Sequence, residues 1–110
     1  MAFRYSLKHH PAAAQDFSDS RAWFAEIDKD LAELFASDFQ TALRGIASGK
    51  LRGQLYAAGH APRWVKLRRF SHKVFFEAMN EDTIFVLAVI SGRRHPTRIR
   101  TMLSRRRKAK

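Results

Sequence analysis

The sequence predicts an α+β domain: an N-terminal strand, then an antiparallel helical hairpin packed on a mostly antiparallel sheet that a three-stranded C-terminal meander completes. Three observations predict it. Apolar residues recur every second position near the amino terminus, at intervals of three and four through the middle, and every second position again from Arg63 onward. Strand, helices and then strands, in that order, leave the helices to cover one side of a single sheet.

Phe3, Tyr5 and Leu7 alternate with Arg4, Ser6 and Lys8, the two-residue period of a strand with one buried face. Pro11 suits the first turn of a helix, where its missing amide hydrogen leaves nothing unpaired. Ala14, Phe17, Arg21 and Phe24 then fall on or near one stripe with Trp23 beside it, and the run ends at Asp28-Lys29-Asp30. Asp30 and Glu33 have capping-box spacing, which starts a second helix at Asp30. Leu31, Leu34, Phe35, Phe39, Leu43 and Ile46 form its apolar stripe, and Gly49 is placed to end it in a left-handed cap. One continuous helix is the competing reading, because neither Gly nor Pro marks the break.

Gly53, Gly59 and Pro62 mark a loop over residues 50–62, with room for a short turn around Leu55 and Tyr56. From Arg63 the period is two, with Val65 and Leu67 on one side and Trp64, Lys66, Arg68 and Phe70 on the other. Ser71-His72-Lys73 reads as a turn and Val74–Ala78 as the returning strand. Asn80-Glu81-Asp82 turns the chain again into Thr83–Ile90, so apolar on both faces that it belongs at the sheet centre. After Ser91-Gly92, Thr97–Leu103 reads as a short helix. The 110 residues fit one domain, residues 1–103, followed by a basic, flexible tail over 104–110.

Composition narrows the function. There is no cysteine, which excludes disulfides and thiolate zinc sites and suits a reducing cytoplasm. The longest apolar run, Ile84–Ile90, is far short of the roughly 20 residues that span a bilayer, so no membrane partner is expected. His9-His10 is adjacent rather than spaced for one metal ion, and the glycines follow no phosphate-loop spacing, so neither metal nor cofactor is expected. The net charge of +11 lies entirely in the second half. Residues 1–59 hold seven basic and seven acidic residues, whereas residues 60–110 hold 14 and three. Such asymmetry attracts a polyanion or an acidic protein.

Three segments carry a family resemblance. They are the hairpin with His10-Pro11-Ala12, Trp23-Phe24, Leu31 and Phe35; the basic and aromatic stretch Val65–Phe76; and Val86–Pro96, an apolar strand running into Arg93-Arg94-His95-Pro96. Together they resemble the RelE/ParE superfamily of type II toxins over roughly residues 3–100. His95 departs from the family's more usual Asp, and Phe76 from its common Tyr.

The resemblance implies a toxin neutralised by a cognate acidic antitoxin, with either DNA gyrase or mRNA on the ribosome as target. Ribosome-dependent cleavage would need proton transfer and cations for a phosphorane, for which Arg69, Arg94 and His95 are the candidates, with His72 and Glu77 behind them. His72 is equally a solvated turn residue, and Glu77 equally a strand-face charge paired with Arg69 or Lys66. No tyrosine follows Tyr56, which favours the gyrase-directed branch over the nuclease branch. Arg68, Arg69, Lys73, Arg93, Arg94 and Arg98 are the expected antitoxin- or target-binding residues. A plain basic nucleic-acid-binding protein would explain the charge but not the three segments.

Overall fold

In the computed structural model, residues 4–55 and 62–108 are described. The elements run β1 (Ser6–His9), α1 (Pro11–Ile27), α2 (Lys29–Ala47), β2 (Gln54–Leu55), β3 (Arg63–Lys66), β4 (His72–Ala78), β5 (Thr83–Ser91) and α3 (Pro96–Lys108). The strands form one sheet in the order β1-β5-β4-β3-β2, antiparallel except that β1 runs parallel to β5. The α+β class and the C-terminal meander expected from the sequence are the fold observed. Phe3, Tyr56 and Gly59 lie outside the described residues.

The hairpin is broken at a single residue. Asp28 is extended (φ −163°, ψ 125°), its amide closes α1 on the Phe24 carbonyl, and its carboxylate accepts from the Asp30 amide at 2.8 Å to open α2. The cap is therefore Asp28, not Asp30, because a capping aspartate must itself stay outside the helix. Gly49 ends α2 at φ +80°, with its amide on the Ile46 carbonyl. On α1 the buried small residue is Ala13; Ala14 and Arg21 face solvent.

The apolar character of β5 has a two-sided cause. One face packs Val86 and Val89, with Val74 and Phe76 of β4, against Phe35, Phe39 and Ile46 of α2. The other packs Leu87 and Ile90, with Phe75 of β4, against Ile99 and Leu103 of α3. Each such side chain contributes roughly 1.5–3 kcal/mol on burial. Between the pairs Phe76↔Val86 and Phe75↔Ala88, Leu87 is an extra residue in β5, a bulge that turns Leu87 and Ala88 toward the α3 side.

The last pairing of β1 with β5 is His9↔Val86, so β5 continues without a strand on that side. Side chains take over. The Val89 amide donates to Asp16 Oδ2 (3.0 Å), and the Leu87 carbonyl accepts from Arg106 Nη1 (3.0 Å). Arg106 also grips Asp16 through both Nη atoms (2.5 and 3.1 Å), in a pair whose members are only 12% and 16% exposed. Beside it, Arg107 Nε donates to Glu77 Oε2 at 2.8 Å, and Glu77 is buried.

These contacts correct two expectations. Glu77 meets Arg107, not Arg69 or Lys66: it points to the α3 face of the sheet, Arg69 is taken by Asp38 on the α2 side, and Lys66 donates to the Leu67 carbonyl. The final helix is not limited to Thr97–Leu103 but runs from Pro96 through Lys108, carried by the partly buried Asp16 for Arg106 and the buried Glu77 for Arg107.

Candidate functional site

A cleft of about 580 Å³ lies where three elements converge. The second half of α1 supplies Trp23 and Phe24, the β3–β4 connection supplies Arg69, Phe70 and Ser71, and the end of β5 supplies Ser91 and Arg93. The connection is drawn against β5 by Gly92, whose amide donates to the Ser71 carbonyl at 2.9 Å. A β-carbon on Gly92 would lie 2.7 Å from that carbonyl, so the approach requires glycine.

Arg69 is a cleft residue held from behind. Its main-chain amide donates to Asp38 Oδ2 (2.9 Å), and its Nε and Nη2 donate to Asp38 Oδ1 (3.0 and 2.5 Å). Asp38 is buried on α2, and the hydrogen bonds from Arg69 hold its carboxyl below the usual carboxylate range against the opposing effect of burial. Arg69 is itself pushed up by the same partner. Its side chain is still 48% exposed, so its outer edge faces the cleft. Arg68 also lies close enough to favour the charged form of Asp38.

His72 is not a turn residue. It opens β4, is buried, and packs on Phe35 and Phe24 at centroid distances of 4.9 and 5.7 Å. Burial first, and the nearby charge of Arg94 second, hold its imidazole below the ordinary histidine range. Its Nδ1 is buried without a hydrogen-bond partner.

His95 and His10 share one device. Each precedes a proline and caps the helix that follows: His10 Nδ1 accepts from the Ala12 amide (2.9 Å), and His95 Nδ1 from the Thr97 amide (3.1 Å). Proline at the first helical position needs no acceptor, which leaves the next amide for the ring nitrogen. Nδ1 of His95 is thereby occupied as the acceptor of that cap.

The expected residues thus divide. Arg69 and Arg93 line the cleft, whereas Arg94 and Arg68 are exposed and do not line it, though their charges act on His72 and Asp38 respectively. Lys73 is turned to the other face of the sheet, its Nζ 4.1 Å from the centroid of the Trp64 ring. Arg98 lies on the exposed side of α3. Two further residues bear on the site: Trp23, read in the sequence only as part of the helical hairpin, and Asp38, not singled out there. Trp23 stands 60% exposed at the rim, and Asp38 fixes Arg69 from the helix beneath.

The cleft offers the guanidinium groups of Arg69 and Arg93 against a single carboxylate, Asp19, which accepts from Gln15, with hydroxyls from Ser20, Ser71 and Ser91 and aromatic surface. That combination suits an acidic segment carrying an apolar side chain. Among the described residues no group of three His, Asp or Glu is placed to hold a metal ion. No described helix is long and apolar enough to cross a membrane.

A family model described as the ParE toxin of the type II toxin–antitoxin system parDE matches residues 7–96. Among solved structures, the chain is similar to one titled "Chromosomal ParDE TA system from P. aeruginosa", with a TM-score of 0.68 and 16% identity. That match covers 80% of this chain and 96% of the other. No curated protein matches by sequence.

Proposed function

Because this chain belongs to the ParE toxin family of type II toxin–antitoxin systems, we propose that it arrests growth by acting on DNA gyrase, and that an acidic cognate antitoxin silences it by covering the cleft. One observation carries the choice of target. The groups that could move protons in RNA cleavage are engaged elsewhere: Nδ1 of His95 accepts in its helix cap, Glu77 pairs with Arg107, and His72 packs on Phe24 and Phe35, while Arg69 and Arg94 supply only cations. General acid–base cleavage needs a base and an acid free to reach one phosphate. A toxin that acts by binding needs neither.

The antitoxin reading is supported by charge and shape together. Arg69 and Arg93 would meet acidic side chains, while the exposed Trp23 supplies the aromatic anchor on which tight protein interfaces depend.

The test is a gyrase assay with purified protein, run beside 5′-end mapping of mRNA in cell-free translation. Loss of supercoiling or accumulation of cleaved DNA, with intact mRNA, is the expected result. Unchanged gyrase activity with new mRNA ends at codon positions, only while ribosomes translate, would overturn it in favour of a ribosome-dependent endonuclease.

A further inference from the structure

Residues 93–108 contain eight arginines and lysines and no acid. The structure sorts them. Arg106 and Arg107 turn inward to Asp16 and Glu77 and are neutralised there. Arg98, Arg100, Arg105 and Lys108 are exposed on α3 and have no acidic partner within ion-pairing distance among the described residues. The exposed hydroxyl-bearing residues Thr97 and Ser104 stand among them.

We propose that this outer face of α3 binds the phosphate backbone of duplex DNA. Uncompensated like charges on one helix repel each other and favour a polyanion that neutralises several at once. From Arg98 to Lys108 the helix rises about 15 Å, the axial length over which one duplex strand presents roughly four phosphates. Arginine and hydroxyl side chains are the usual donors to phosphate oxygens.

The scarcity of exposed apolar side chains selects the partner: in the shallow groove between Thr97, Arg98, Thr101 and Arg105 the only large apolar residue is the partly buried Met102. Among the described residues the large exposed apolar ones are Trp23, Ile27, Leu51, Leu55 and Met79, and α3 has none of them. A protein partner would find no anchor here of the kind Trp23 gives the cleft. A single strand would find no aromatic platform for its bases. A backbone-reading surface requires only rigidly spaced cations, and α3 is held rigid by the two inward arginines. The proposal stands apart from the choice of gyrase as target.

The test is fluorescence anisotropy of the full chain with a short duplex oligonucleotide, between about 50 and 200 mM KCl. Four phosphate contacts give a slope of about −3.6 for log affinity against log salt. The triple variant R98Q/R100Q/R105Q should weaken binding about 100-fold at low salt and bring the slope near −1. The corresponding lysine triple keeps the charge and should hold the slope.

Three results would overturn the proposal: no duplex binding at low salt, an unchanged slope in the glutamine triple, or equal binding and equal loss with single-stranded RNA. If the glutamine triple instead lost a purified antitoxin while keeping DNA, the face would belong to a protein partner. Gyrase is absent from this assay, so its outcome is separable from the target.

Discussion

Asp38 and Arg69 are joined three times, through the arginine's main-chain amide, Nε and Nη2. The aspartate comes from the buried side of α2 and the arginine from the connection that forms the cleft wall. This contact fixes where the wall stands, and a cation in the cleft is thereby a structural member of the fold. Arg69→Gln should lower the melting temperature, since it leaves the Asp38 carboxylate buried with only an amide for company. Arg68→Gln and Arg93→Gln, at exposed positions, should stay within about 0.5 kcal/mol of the parent. Thermal melts of the three variants decide this.

The same pair sets an acid dependence. Asp38 has its folded pKa held below that of an ordinary aspartate by the hydrogen bonds from Arg69, so the stabilisation is complete above the ordinary value and is lost as pH falls through the folded pKa. Denaturant unfolding between about pH 5 and pH 2 should show a steep loss. Asp38→Asn should flatten that limb while lowering stability at neutral pH.

His72 acts in a different window. Its folded pKa is depressed below 6.5 by burial, so the unfolded chain takes up a proton that the folded chain refuses. Stability therefore falls as pH drops below 6.5. His72→Leu should gain on the parent progressively from pH 7 to pH 5, read as the midpoint of urea unfolding. A constant difference between the two across that range would refute the assignment.

Asp16 closes the side of β5 that β1 leaves uncovered, so Asp16→Ala strands both the Val89 amide and Arg106. A loss of about 3 kcal/mol is expected by calorimetry. A chain cut after Leu103 forfeits Arg106 and Arg107 together and should melt about 10 °C lower or more.

Trp23 is 60% exposed and contributes little to the core. Trp23→Ala should leave the melting temperature unchanged within about 2 °C and weaken antitoxin binding by roughly 10- to 100-fold. Co-purification at raised salt, with the parent alongside, measures it.

Local periodicity made most of the fold readable. The stripe Phe35, Phe39, Leu43 and Ile46 faces the sheet as its spacing demands, and Val65 and Leu67 are buried while Lys66 and Arg68 are not. Three features were not readable, for physical reasons. The edge strand Gln54–Leu55 is held by backbone pairing with Arg63 and Trp64, which imposes no side-chain pattern. The partners of Arg106 and Glu77 are set by which face of the sheet each side chain meets. Histidine caps rest on ring geometry that residue preferences hardly record. Asp38 had a visible signal, since it lies within the Phe35–Phe39 stripe, where a lone acid implies a buried cation or main-chain donor.

The parallel pairing of β1 with β5 also governs timing. The first strand can be incorporated only once the last has been made, and the Asp16–Arg106 pair joins residues 90 apart in sequence. Such non-local closure is slow, because loop entropy is lost before any contact compensates it. A ribosome translating this chain therefore carries an unfinished sheet until β5 and α3 have been made.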